Sequence, residues 1–266
     1  MPSVAVCAAA SNCLETAENL ADRLQLSHVA PGTKGFDFLL CVTVEGLVLE
    51  SCRSEPPGRV IVDFLSGALG YRIKHACASR QPLARALGYR RQNPFTVIDA
   101  TAGLGRDAML LATLGCRVTL LERSAVVCAL LEDGLRRAAK SDRLGAIVKD
   151  HVGLHCADAT PWLDRLKDSD TQPDAIYLDP MFPARTKTSL VRKEMRTLRA
   201  LLGDGHGSEA LLHAAIGCAV ERVAVKRPPG APPLAGLPPD LTYPGKRARF
   251  DVYLARRRFA PREDGG

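Results

Sequence analysis

Asp179-Pro180-Met181-Phe182 brings a carboxylate, a prolyl carbonyl and an aromatic ring together within one tight turn. An exocyclic amine conjugated with its heterocycle is a poor nucleophile. A carboxylate and a carbonyl that accept its hydrogens can align its lone pair with an electrophile. Asp179 and the carbonyl of Pro180 suit that task. Phe182 suits stacking on the base that carries the amine, once the base has left its helix. A proline turn after a buried strand, with Phe182 in the core, is the reading without chemistry.

A second segment, Asp99 to Ala108 (DATAGLGRDA), follows a short apolar strand and opens a helix. Gly103 and Gly105 let the backbone pass close to a ligand, while helix N-terminal amides and the Asp99 carboxylate can hold its polar parts. Gly103-x-Gly105-x-x-Ala108 also satisfies the loose dinucleotide fingerprint, so NAD and S-adenosylmethionine both remain open here. Glu122, at the tip of the next strand, can accept hydrogen bonds from both ribose hydroxyls of an adenosine; helix capping is the alternative. Asp158, after the third strand, stands where a short polar side chain meets an adenine amino group, and equally suits a plain loop. Arg185, Lys187, Arg192, Lys193, Arg196 and Arg199 follow the Asp-Pro turn directly, and Lys226-Arg227 closes a later strand. These cations are placed for phosphates. The first group also fits the outer face of a helix that turns Leu190, Met195, Leu198 and Leu202 inward.

Strands and helices alternate from Phe95 onward, the pattern of a doubly wound parallel sheet. Strands are expected at Thr96 to Asp99, Arg117 to Glu122, Val152 to Cys156, Ala175 to Asp179, Arg222 to Lys226 and Ala248 to Arg256. Helices are expected at Arg106 to Leu114, Ser124 to Lys140 and Ser208 to Ala219. Residues 1–76 read as a small α+β unit ahead of a Rossmann-like domain at 77–266. Within that unit Asn12 and Glu15 suggest a capping box, Phe38 to Thr43 and Leu47 to Ser51 a hairpin, and Val60 to Asp63 a further strand. Tyr71 to Arg91 is rich in Lys and Arg, and reads either as a basic connector near the substrate or as a solvated linker helix.

The chain has 266 residues, 46% of them hydrophobic, enough to fill the core of an α/β domain. No apolar run approaches the roughly 20 residues of a membrane helix, and no basic residue precedes Val4 to Ala10 as in a secretory signal, so a cytoplasmic protein is expected. Nine cysteines, an odd number without C-x-x-C spacing, point to buried reduced thiols and no metal site. From Ala184 onward 16 Lys and Arg face 8 Asp and Glu, so the excess of the +7 net charge lies in the last third. A polyanion would be steered there, although a solvated basic face serves solubility equally well.

Methyltransferases that act on exocyclic amines share an Asn/Asp-Pro-Pro-Tyr/Phe tetrapeptide, which Asp179-Pro180-Met181-Phe182 resembles with Met in the third place. DATAGLGRDAMLLATLGCRVTLLERS, LLEDGL, YLDPMFP, the trailing KEMR, DFLSGALGYRIKH and KRP together resemble the ribosomal small subunit methyltransferase J family, the 16S rRNA (guanine-1516-N2)-methyltransferases. The resemblance implies a class I, Rossmann-like S-adenosylmethionine-dependent methyltransferase fold with a small N-terminal α+β unit, acting on 16S rRNA or the small ribosomal subunit. It further implies that Arg106, Asp107, Glu122, Arg123, Ala157, Asp158 and Asp179 contact S-adenosylmethionine. Two departures stand out: Ala76 to Gln81 replaces a glycine-rich stretch, and Ala157-Asp158 replaces two small polar residues. The rival readings are an NAD-dependent oxidoreductase, carried by the glycine spacing alone, and a non-catalytic RNA-binding assembly factor.

Overall fold

The computed structural model describes residues 2–52, 58–77, 81–90, 95–181, 193–203, 207–245 and 248–255, with the side chain of Lys193 excepted. Strand β1 (Val4–Ala8) lies inside a four-stranded sheet, with β2 (Ser27–Val29) and β3 (Phe38–Thr43) parallel on its two sides. A turn at Glu45 returns β4 (Gly46–Ser51) antiparallel to β3. Helix α1 (Leu14–Leu24) connects β1 to β2 and buries Ala17, Leu20 and Ala21. The expected capping box is absent. A 3-10 turn at Ser11–Cys13 leads into α1, Cys13 is the cap, and no side chain caps the helix. The Val60 to Asp63 strand reduces to an isolated bridge between Val60 and Leu49. Asp63 explains this, because its carboxylate accepts the backbone N–H of Leu65 at 2.8 Å and of Ser66 at 3.3 Å, turning the chain into a helix.

That helix is α2 (Gly67–Lys74), followed by α3 (Pro82–Ala86). The larger sheet then builds through β5 (Thr96–Asp99), α4 (Arg106–Thr113), β6 (Arg117–Glu122), α5 (Ala125–Ala138), α6 (Gly145–His151) and β7 (Val152–Cys156). It continues through α7 (Ala159–Leu166), β8 (Ala175–Leu178), α8 (Lys193–Leu202), α9 (Ser208–Cys218), β9 (Arg222–Arg227), β10 (Leu241–Tyr243) and β11 (Arg249–Leu254). The seven strands run in the order β10-β11-β9-β8-β5-β6-β7; all are parallel from β7 to β9, and β11 is antiparallel to both its neighbours. Sequence order reverses between β5 and β8, so their carboxyl ends open a crevice where doubly wound sheets hold ligands.

Alternation along the strands separates two apolar layers. Val97, Ala175, Tyr177 and Ala224 face one side and Ile98, Ile176, Leu178, Val223 and Val225 the other. The first layer continues without a break into Val6, Phe38, Leu40 and Leu49 of the small sheet. Helix α5 joins them. Asp133 accepts the Leu47 N–H and the Arg137 Nε, both at 2.9 Å, and Arg137 also donates to the Val62 carbonyl. Gly134 sits at this seam, where a Cβ would stand 2.3 Å from Val62 Cγ1. Alanine normally favours a helix by about 0.5–1 kcal/mol over glycine, but overpacking costs about 1–3 kcal/mol. Gly134→Ala is therefore expected to lower Tm by a few degrees in thermal unfolding; an unchanged or higher Tm would show that Val62 yields without cost.

Cys52, Cys77 and Cys156 are exposed, contrary to the expectation of burial, and the other six cysteines are buried. Among the described residues no helix is long and apolar enough to cross a membrane.

Candidate cofactor and acceptor pocket

The loops after β5, β6, β7 and β8, together with α8 and the end of β9, enclose a cavity of about 370 Å³, within the size range of small-ligand sites. Gly103 and Gly105 take φ of +52° and +66°, and a Cβ on Gly105 would reach within 2.7 Å of Leu131 Cδ1. Glycine is thus required for the loop to turn this tightly over α5. Glu122 is 7% exposed, and its two oxygens accept the N–H of Gly103 at 3.0 Å and of Ser124 at 2.8 Å. Burial raises its pKa against the pull of those donors. Each oxygen retains a lone pair for a ligand hydroxyl. Asp158 caps α7 by accepting the Thr160 N–H at 2.9 Å, and Ala157 donates its N–H to the Glu122 carbonyl at 3.0 Å. Both line the cavity, so the capping and lining roles of Asp158 coexist.

A row of ionisable groups crosses the tips of β5, β8 and β9. The register sets Asp99 beside Tyr177 and Leu178 beside Val225, so the next residues, Asp179 and Lys226, also become neighbours. Lys226 Nζ lies 2.8 Å from Asp179 Oδ2 and 2.9 Å from Asp107 Oδ2. The Tyr177 hydroxyl donates to the same Asp107 oxygen at 2.8 Å, and Arg72 Nη1 approaches Asp107 Oδ1 at 3.4 Å. Thr101 Oγ1 accepts the Asp179 backbone N–H at 2.6 Å, fixing the start of the Asp-Pro turn. Burial pushes Asp99 up to about 8, Asp107 and Asp179 add to the rise, and only the Thr101 N–H and Lys226 oppose it. Burial also raises Asp179 against the attraction of Lys226. For Asp107 burial is outweighed by Lys226, Arg72 and the Tyr177 hydroxyl, which hold it below the usual carboxylate range. Burial works to lower Lys226, but the two carboxylates keep it above its ordinary value.

Asp99, Gly103, Arg106, Asp107, Glu122, Arg123, Ala157, Asp158, Asp179 and Pro180 all line the cavity, and Gly105 caps the adjoining helix. Arg106 is bound to Glu194 of α8 at 2.5 Å, while Met195, Leu198 and Leu202 of that helix form an apolar wall. Two cations expected to meet phosphates have partners within the protein. Lys226 points into the carboxylate pair. Arg227 is 5% exposed and donates to the Pro232 carbonyl, 3.1 Å from Nε, so it holds the proline-rich loop. Phe182, Arg185, Lys187 and Arg192 lie outside the described residues. So does the side chain of Lys193, whose backbone begins α8. Sequence reasoning did not single out Thr101 or Tyr177. Strand alternation carried the signal for Tyr177, since residues 177 and 179 share a face.

The model of a family described as SAM-dependent methyltransferase matches residues 19–255. The ribosomal RNA small subunit methyltransferase J of Thioalkalivibrio sulfidiphilus is 46% identical over 247 residues, 92% of this chain and 95% of that protein. The protein of the same name from Nitrosococcus oceani is 44% identical over 241 residues, 91% and 94% of the two chains. Among solved structures, a SAM-dependent methyltransferase from Neisseria gonorrhoeae superposes with a TM-score of 0.73 at 31% identity, covering 94% of this chain and 95% of that one. These matches extend through both sheets and decide between the two cofactors that the glycine spacing left open. Fold, pocket and matched length agree: the chain belongs to the ribosomal RNA small subunit methyltransferase J family and is an enzyme whose methyl donor is S-adenosylmethionine.

Proposed function

We propose that this enzyme methylates the exocyclic N2 amine of a guanine in 16S rRNA of the small ribosomal subunit, in the cytoplasm. The observation that carries the reading is the Asp179 carboxylate. It is presented beside Pro180 into the cavity that Glu122 and Asp158 also line. The names of the relatives supply the RNA class, and the Asp-Pro turn supplies the amine.

The residues fit the methyl donor. Glu122 takes the ribose hydroxyls, Asp158 the adenine amine, and Asp99, whose raised pKa a cation beside it brings back down, the ammonium of the amino-acid end. Arg106, Arg123 and Ala157 complete the walls. When bound, S-adenosylmethionine supplies a methyl group made electrophilic by its sulfonium. Asp179 and the Pro180 carbonyl accept the two hydrogens of the guanine amine and turn its lone pair toward that methyl. As the nitrogen gains its new bond it becomes acidic. The proton then leaves to Asp179, whose burial-raised pKa suits it as acceptor. Phe182 stacks on the base, and the basic run Arg185, Lys187, Arg192 and Lys193 meets the phosphates around it.

Incubating the enzyme with methyl-labelled donor and undermethylated small-subunit RNA, then mapping the labelled nucleotide, tests this directly. Label on a guanine N2 is the expected result, and label elsewhere or none overturns it. Glu122→Ala is expected to weaken cofactor binding at least tenfold in calorimetric titration, since hydrogen bonds to a charged acceptor contribute about 1.5–3 kcal/mol. An unchanged dissociation constant in the folded variant would leave Glu122 only its loop-holding bonds to Gly103 and Ser124.

A further inference from the structure

We propose that the outer face of α2 is a docking surface for single-stranded RNA flanking the target guanine; this rests on the RNA-methyltransferase reading above. Helix α2 turns Ile73 inward at 5% exposure, and Gly70 packs so closely that a Cβ there would stand 2.5 Å from the Leu65 carbonyl oxygen. This fixes the helix's rotation and leaves Tyr71, 69% exposed, on the outside with Lys74. The rings of Tyr71 and His75 sit one helical turn apart with centroids 4.4 Å apart, forming a continuous aromatic ledge in solvent. No acidic residue occurs in α2 (GALGYRIK). Arg143 adds a cation at the helix's start, where it donates to the Leu65 carbonyl at 3.1 Å.

The ledge is continuous with the site. Arg72, next to Tyr71, reaches 3.4 Å from Asp107, a cavity residue bound to the same Lys226 that holds Asp179. An aromatic ring with cations on both sides, on a helix that carries no acidic residue of its own, matches the alternation of base and phosphate along a single strand. The apolar area is about one ring wide, too little for the desolvated centre of a protein interface. A base next to the target stacks on Tyr71 while Lys74 and Arg143 meet its phosphates, and the strand is held as the guanine enters the cavity.

The test is fluorescence anisotropy of the full chain, with cofactor present, on a labelled transcript of small-subunit ribosomal RNA at several salt concentrations. Tyr71→Ala is expected to raise Kd about tenfold, within the usual worth of one stacked base. Tyr71→Phe keeps the ring and should bind as the parent does. Lys74→Ala should reduce the slope of log Kd against log salt by about one. Calorimetric affinity for S-adenosylmethionine should be unchanged in all three, which also reports folding. Parent-like affinity in Tyr71→Ala, or a loss in Tyr71→Phe equal to that in Tyr71→Ala, overturns the docking surface. A parent enzyme that binds no RNA overturns the function itself and is thereby distinguishable.

Discussion

Asp179→Asn is expected to lower single-turnover methyl transfer about a thousandfold while leaving RNA affinity within a few-fold of the parent. Asparagine preserves the side-chain volume and one acceptor oxygen but loses the negative charge and the capacity to take a proton. General-base contributions of this kind are typically worth about 10²–10⁴ in rate. Lys226 retains Asp107 at 2.9 Å, and the Asp179 backbone N–H still has Thr101 Oγ1, so the turn should survive the substitution. Asp179→Ala removes the acceptor entirely and should be at least as slow. Cofactor affinity is expected to fall by less than tenfold, because Glu122 and Asp158 hold the adenosine end on other loops. The measurement is single-turnover transfer from pre-bound labelled donor, alongside RNA and donor dissociation constants. A near-normal rate in either folded variant would place the chemistry elsewhere in the cavity.

Much of this site was legible in the sequence because its parts are local. A short apolar strand, a glycine turn and a helix are contiguous in residues 96–113, and the structure forms them in that order as β5, loop and α4. Glu122 ends β6 as expected because an acidic residue closing an apolar run marks a strand tip. What remained illegible lies where partners are far apart in the chain. Charge counting placed Lys226 among the basic residues of the last third. Its neighbour across the sheet is set by the β8–β9 register, which a one-dimensional pattern does not reveal. The three-residue strands β2 and β10 escaped notice because they are too short to establish a period, and pairing with β1 and β11 supplies what periodicity cannot. The capping box failed for a similar reason: backbone bonds of the 3-10 turn, such as Cys13 N–H to the Ala10 carbonyl at 2.9 Å, take over the helix start.

Lys226→Met should separate the two roles that this lysine could fill. Methionine keeps an unbranched side chain of similar length but leaves Asp107 and Asp179 facing each other without the cation between them. Lys226 draws the pKa of Asp179 down against its burial, so removing it must raise that pKa further. Since the amine needs an ionised acceptor, the acidic limb of the pH–rate profile is expected to move to higher pH. The rate at pH 7 should fall at least tenfold, with recovery as pH rises toward 9. Stability should change in the opposite sense. A carboxylate whose folded pKa is raised above its unfolded value stabilises fully below the unfolded value and loses that contribution as pH rises through the folded one. Urea unfolding of the variant should therefore show stability falling from pH 6 to pH 9 more steeply than in the parent. Lys226→Arg, which keeps the charge, should restore much of the rate without this pH shift. A phosphate-binding lysine predicts a different set: weaker RNA binding, a flatter salt dependence and an unmoved pH profile. That outcome would mean that the bridge to Asp179 and Asp107 is not what sets the protonation of the catalytic carboxylate.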